Sequence, residues 1–188
     1  MKQGKMLTIV ALVFVLVMGG ASLLYHRLSA EFLPDQLSAS EETKEEESDL
    51  TPAPDFTAYD AEGNEVKLSD YIGKPLVLNF WASWCGPCKM EMPHFEDAYQ
   101  EQGEEVQFLM VNMTTSSRET LEAAQSYVAE EAFTFPVLYD RDSDAATVYG
   151  VYSLPTTYFV DEEGNLTARA AGAIDAETLQ KGIDLITE

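Results

Sequence analysis

The strongest run of hydrophobic positions in the soluble-looking part of the chain begins at Pro75. Pro75-Leu76-Val77-Leu78-Asn79-Phe80-Trp81 is apolar apart from Asn79. A continuous run of this length suits a central strand buried on both faces. Upstream, Glu65-Val66-Lys67-Leu68 alternates polar and apolar after the turn-forming stretch Asp60-Ala61-Glu62-Gly63-Asn64. That pattern predicts a half-buried strand. A helix is predicted from Cys85 toward Gly103, and Glu105 to Val111 reads as the next strand. Ser117 to Glu131 is predicted helical, with Ser116 or Ser117 as N-cap and Glu119 or Thr120 in the first turn. A short strand over Phe135–Tyr139 and a short helix over Ser143–Tyr149 follow. Thr157–Asp161 and Leu166–Ala171 form a hairpin around Glu162-Glu163-Gly164-Asn165. Asp175 caps a last helix, Ala176–Ile186. Strands alternating with helices, closed by a hairpin and a helix, imply an α/β sheet of mixed direction covered on both faces.

The first residues carry a different pattern. Met6 to Tyr25 is a run of twenty residues without a charge. At roughly 1.5 Å per residue, a helix of that length spans about 30 Å, the thickness of a bilayer's hydrocarbon core. Lys2 and Lys5 precede it, which puts the N-terminus in the cytoplasm. His26 and Arg27 follow the run and oppose that bias weakly. A cleaved signal peptide is the alternative, with small residues at Gly19-Gly20-Ala21 as its site. The apolar run continues past them to Tyr25, which favours an uncleaved anchor. No cysteine follows the run, as a lipoprotein signal would need. Residues 1–28 are therefore expected to form a cytoplasmic tip and a transmembrane signal-anchor. Residues 29–54 are polar, lack apolar periodicity and hold the acidic cluster Glu41–Glu47. Such a segment reads as a flexible, solvated tether. Residues 55–188 remain, the usual size for one domain.

Charge narrows the partners. The chain carries 11 Lys and Arg against 33 Asp and Glu, a formal net charge of −22. Residues 55–188 share this excess, with 7 basic against 25 acidic side chains. Nucleic acid is disfavoured, because its readers present basic patches.

Only two cysteines occur, in Asn79-Phe80-Trp81-Ala82-Ser83-Trp84-Cys85-Gly86-Pro87-Cys88-Lys89. A structural zinc site needs about four ligands, and the chain adds only His26 and His94. A bridge from Cys85 to Cys88 would close too short a loop to staple a fold. Redox chemistry is left. Pro87 suits a helix start, where its missing N–H has no partner to lose. Cys85 then sits at a helix N-terminus, which stabilises a thiolate and lowers its pKa. Cys88, one turn on, can attack a mixed disulfide and release the product.

These residues resemble the thioredoxin active site. Pro93 matches that family's active-site helix proline, and Leu154-Pro155-Thr156-Thr157 resembles its cis-proline loop. Ala53-Pro54-Asp55-Phe56, Leu68–Lys74, Asn79-Phe80-Trp81 and Glu91-Met92-Pro93 are similar to the membrane-tethered ResA/TlpA-like thiol–disulfide oxidoreductases. The likeness covers Pro52 to Glu188, and the anchor matches in kind. It implies a thioredoxin-like fold: a central mixed sheet flanked by helices, with an N-terminal strand extension, a helical insertion and one transmembrane helix.

The same resemblance implies Cys85 as attacking and Cys88 as resolving cysteine, joined as a redox disulfide in the oxidised state. Pro155 corresponds to the cis-proline, and the Leu154 backbone would pair with a bound substrate segment. Trp84, Gly86, Pro87 and Thr156 complete the expected substrate surface. Asn79 departs from thioredoxin, which has a buried aspartate there. Glu91 matches a glutamate of the ResA/TlpA-like branch and is expected to relay the proton of Cys88. Lys89 and His94 read as solvated groups, Trp81 as core, and the scattered methionines as core or rim.

The expected activity is reduction of disulfides in exported proteins, apocytochrome c among them. A CcdA-type membrane protein would supply the electrons. The chain is expected to be a monomer needing no cofactor or metal. A peroxiredoxin-like peroxidase is an alternative, since that family shares the Ala-Pro-Asp-Phe and Leu-Ser-Asp openings. It needs a Thr or Ser where Ala82 stands, and a proline upstream that Val77–Phe80 lacks. A non-catalytic binding module on the same scaffold is a third reading, at odds with retention of both cysteines.

Overall fold

The apolar run at Leu76–Trp81 becomes the middle of a sheet, and every one of its residues is buried. The computed structural model describes residues 37–39, 51–114 and 118–187. Among these, nine strands follow in chain order: β1 (Leu37–Ala39), β2 (Thr51–Pro52), β3 (Thr57–Tyr59), β4 (Glu65–Lys67), β5 (Leu76–Trp81), β6 (Gln107–Asn112), β7 (Val137–Tyr139), β8 (Thr156–Val160) and β9 (Asn165–Ala171). The helices are α1 (Gly86–Gln102), α2 (Leu121–Glu130), α3 (Asp144–Val148) and α4 (Ala176–Thr187), with a 3-10 turn at Leu68–Asp70. The strands lie in the order β1-β9-β8-β5-β6-β7-β3-β4, and β2 also pairs with β9. The β5–β6 and β6–β7 pairs are parallel, while β5–β8 and β8–β9 are antiparallel. This is the mixed sheet the alternating pattern implied.

Successive side chains of a strand face opposite sides. Val77 and Trp81 of β5 join Phe108 and Met110 of β6 on one face. Met92 and Phe95 of α1, Tyr127 of α2, and Leu179 and Ile183 of α4 pack there. Leu76, Leu78 and Phe80 face the other way, with Leu109, Val111, Phe56 and Tyr149. Parity therefore puts Asn79 on the α1 face, between Val77 and Trp81.

Two departures from the sequence reading have physical causes. The tether expected over residues 29–54 includes β1 and β2, both paired antiparallel to β9. The outer rim of β9 would otherwise leave its backbone groups without strand partners, and these segments supply them. The helix expected from Ser117 begins at Leu121, with the Thr120 hydroxyl accepting from the Ala123 N–H. Glu119 is drawn out of the helix because its side chain is buried elsewhere. Ser116, Ser117 and the Met6–Tyr25 run lie outside the described residues. Among the described residues no helix is long and apolar enough to cross a membrane.

Helix α4 lies tight against the sheet at Gly182. A Cβ there would overlap the fully buried ring of Phe159 in β8. Overpacking of this kind costs roughly 1–3 kcal/mol, against about 1 kcal/mol gained in helix propensity. Gly182→Ala is thus expected to lower unfolding stability by up to ~2 kcal/mol in urea titration. Stability equal to or above the parent's would show that Phe159 can move aside.

Candidate active site

Four neighbouring strands end at the same edge of the sheet. Trp81 is level with Asn112 of β6, and Phe80 pairs with Thr156 of β8. Thr156 in turn pairs with Ala171 of β9. Pro155 therefore lies just past Phe80's partner, beside the Trp81–Cys85 connection. The Leu154–Pro155 bond is cis, and the Pro155 carbonyl accepts from the Gly172 N–H at 2.9 Å. Leu154 is half-buried and touches both hydrophobic clusters.

The chain leaves β5 through a tight turn, with the Cys85 N–H donating to the Ala82 carbonyl at 3.0 Å. Cys85 is the N-cap of α1, and its Sγ accepts from the Cys88 N–H at 3.2 Å. Gly86 and Pro87 open the helix and are exposed, so Pro87 forfeits no helical bond. The two cysteines form a disulfide with an S–S distance of 2.06 Å. Cys88 is wholly buried, while Cys85 keeps 3% of its surface exposed and is flanked by exposed Trp84, Gly86 and Pro87. An entering sulfur therefore meets Cys85 first. Pro93 lies inside α1 and cannot donate to the Lys89 carbonyl.

Glu91 is on the buried side of α1, one turn beyond Cys88, with 1% of its surface exposed. Its Oε1 accepts from Asn79 Nδ2 at 2.9 Å and its Oε2 from the Ile174 N–H at 2.9 Å. Burial pushes its pKa up to about 7, against the pull of the Ile174 and Asn79 hydrogen bonds. Asn79 Nδ2 also donates to Thr157 Oγ1 at 3.0 Å. The buried Asn79 amide thus ties β5 directly to β8 and, through the Glu91 carboxyl, to α1.

Not every expected residue faces outward. The Thr156 side chain is fully buried, and its hydroxyl donates to the Ser153 carbonyl at 2.9 Å. It shapes the Pro155 loop and offers no side-chain contact to a substrate. Trp84 before Cys85, Met90 on α1 and Tyr152 three residues before Pro155 are exposed, the last 97%. Lys89 lies 4.5 Å over the Tyr127 ring. Among the described residues no three His, Cys, Asp or Glu side chains cluster as metal ligands. A hollow of about 550 Å³ lies at the far end of α1, bounded by Tyr99–Glu105 and Thr134. Trp84, Gly86 and Pro87 beside Cys85 are exposed, so a protein segment can reach the pair.

Sequence reading missed two groups. Glu119 looked like an ordinary first-turn acid, yet it is fully buried and accepts from Ser83. Arg118 stacks 3.7 Å over the Trp84 ring. No local pattern marks either one, because both contacts join residues about 35 positions apart.

The geometry supports thiol–disulfide exchange. In such an exchange a thiolate of the reduced pair can attack one sulfur of a target disulfide, the other sulfur leaving as a thiolate. The second thiol, once deprotonated, can then displace the target as a dithiol and re-form the Cys85–Cys88 bond, and the reverse sequence would oxidise a target.

The sequence pattern of the AhpC/TSA family matches residues 50–169. The chain is 36% identical over 137 residues to the thiol-disulfide oxidoreductase ResA of Geobacillus thermodenitrificans, spanning 71% of this chain and 75% of the relative. StoA from Bacillus subtilis superposes with a TM-score of 0.60 at 26% identity, covering 69% of this chain and 96% of that one. The pneumococcal exposed lipoprotein thioredoxin of Streptococcus pneumoniae gives 0.59 at 30% identity, with 70% and 98% covered. With the cysteine pair at the helix start and the buried carboxyl one turn behind it, these likenesses make the chain a thioredoxin-like member of the AhpC/TSA family and a protein thiol–disulfide oxidoreductase of the ResA type.

Proposed function

We propose that this protein is a membrane-tethered reductase working outside the cytoplasm, where it returns disulfides of exported proteins to dithiols. The observation that carries the reading is Glu91. A buried carboxyl with a pKa near 7, one turn from the resolving cysteine, can take the Cys88 proton at physiological pH. Release of a reduced protein substrate requires that step. The Gly86-Pro87 dipeptide matches that of reducing thioredoxins, whose potential is about −270 mV, against about −120 mV for a strong oxidant. The Cys85–Cys88 couple is expected to equilibrate with glutathione or dithiothreitol nearer the first value. A midpoint near the second would overturn the reductase direction.

The Met6–Tyr25 run, preceded by Lys2 and Lys5, supports an anchor with the domain outside. The pneumococcal neighbour is itself described as an exposed lipoprotein. The likeness to the ResA/TlpA-like branch supports apocytochrome c cysteines as substrate and a CcdA-type protein as electron donor. Protease added to intact cells should digest the domain, and loss of the donor should leave Cys85–Cys88 oxidised. A thiol peroxidase is the competing reading within the same family. Ala82, buried three residues before Cys85, brings no hydroxyl to a peroxide. Rapid peroxide consumption by the reduced domain would favour that reading instead.

A further inference from the structure

Glu119 lies outside the cysteine motif, yet its carboxylate holds the turn that delivers Cys85. Oε1 accepts from the Ser83 N–H at 2.7 Å and from Asn112 Nδ2 at 2.7 Å. Oε2 accepts from the Ser83 hydroxyl at 2.8 Å. Asn112 is itself fixed, because its Oδ1 accepts from the Thr114 hydroxyl at 2.8 Å. Glu119 and Asn112 are both fully buried. Removing a carboxylate from water is costly unless its oxygens are satisfied. Among the described residues, every bond it makes goes to the turn or to the residue at the end of β6. The adjacent Arg118 lays its guanidinium over Trp84. Two consecutive residues thus grip two consecutive residues of the turn.

The grip matters most in the reduced state. In the oxidised state the Cys85–Cys88 bond itself restrains Cys85. Once that bond opens, the position of Sγ depends on the Ala82–Cys85 turn. Only a placed Sγ keeps the Cys88 N–H and the helix N-terminus beside the thiolate. From these contacts we infer that Glu119 is a positioning residue for Cys85, acting through Ser83, in the thiol–disulfide exchange itself.

Glutamine offers a conservative replacement. Its amide oxygen can accept from the Ser83 N–H and Asn112, and its NH₂ can donate to the Ser83 hydroxyl. Alanine removes all three bonds. The full chain is reduced, and attack on glutathione disulfide is followed by stopped flow. Cys85 alkylation is measured against pH in parallel, and melting temperature is read for each variant. Glu119→Ala is expected to slow attack about ten- to a hundredfold, the scale of a misplaced reacting group. Its alkylation midpoint should rise, and Glu119→Gln should recover most of the rate. If Glu119→Ala folds and attacks with the native rate and pH profile, Glu119 is a fold residue only and the inference fails. It also fails if Glu119→Gln is as slow as Glu119→Ala, since charge and not placement would then be at work. Should Glu119→Ala not fold, Ser83→Ala decides, because it deletes only the Oε2 contact. Slower attack at an unchanged melting temperature supports the inference, and an unchanged rate overturns it.

Discussion

Cys88→Ala is expected to leave Cys85 able to attack but unable to let go, so the chain accumulates as a mixed disulfide with its target. The first step needs only the Cys85 thiolate, and the helix start that stabilises it stays intact. The second step needs a sulfur within reach of the new Cys85–target bond. Among the described residues Cys88 alone supplies one, since the structure holds no free cysteine. Multiple turnover should fall by at least about a thousandfold, as when one member of a catalytic unit is lost. Non-reducing gels should show a discrete adduct that dithiothreitol removes, and mass spectrometry would identify the captured protein. Cys85→Ala should capture nothing, because Cys88 is buried. Equal capture by either variant would reverse the assigned order of attack.

Glu91→Gln has the next largest effect, and it appears in both rate and stability. With Glu91 as the base for Cys88, mixed-disulfide resolution rises with pH as the carboxyl ionises near 7. Removing the base is expected to slow resolution about a hundredfold and to erase that limb of the pH profile. The substitution should be tolerated sterically. Asn79 Oδ1 is buried without a partner, so a flipped Asn79 amide can accept from the new NH₂. The linkage sign follows from the direction of the shift. The folded-state pKa is raised, so the native protein binds more protons than the unfolded chain between about 4.5 and 7. This stability is complete below the unfolded pKa and is lost as pH rises through about 7. Its full size is on the order of 3 kcal/mol. Urea unfolding of the parent should therefore weaken from pH 5 to pH 8 more than that of Glu91→Gln. Parallel pH slopes would show that Glu91 is not the buried acid responsible.

The elements built on strong patterns were legible from the chain. The Pro75–Trp81 run read as a buried central strand and forms one over Leu76–Trp81, and Asp175 does cap the last helix by accepting from the Thr178 N–H. The short strand β3, held between β7 and β4, was not legible, because its three residues have no turn-bounded alternation of the kind that marked β4, and its place comes from pairing with distant strands. The start of α2 was misplaced, since Glu119 obeys a tertiary contact and not the helix signal. The same limit applied to Asn79. It read as a missing acid, whereas the fold makes it the donor that frames Glu91.

By itself the sequence determined which chemistry is available: one cysteine pair at a helix start, a carboxyl one turn behind it and a proline loop to stand beside it. Spacing along one helix decides the first two relations, and a helix is a local structure; the proline loop was legible only through the family resemblance. Only the tertiary structure decided how that chemistry is tuned and held. Burial against β5 and the Ile174 loop brings Glu91 to a pKa near 7, and Glu119 locks the turn before Cys85. Both depend on solvent exclusion and on contacts between distant segments, which no short stretch of sequence encodes.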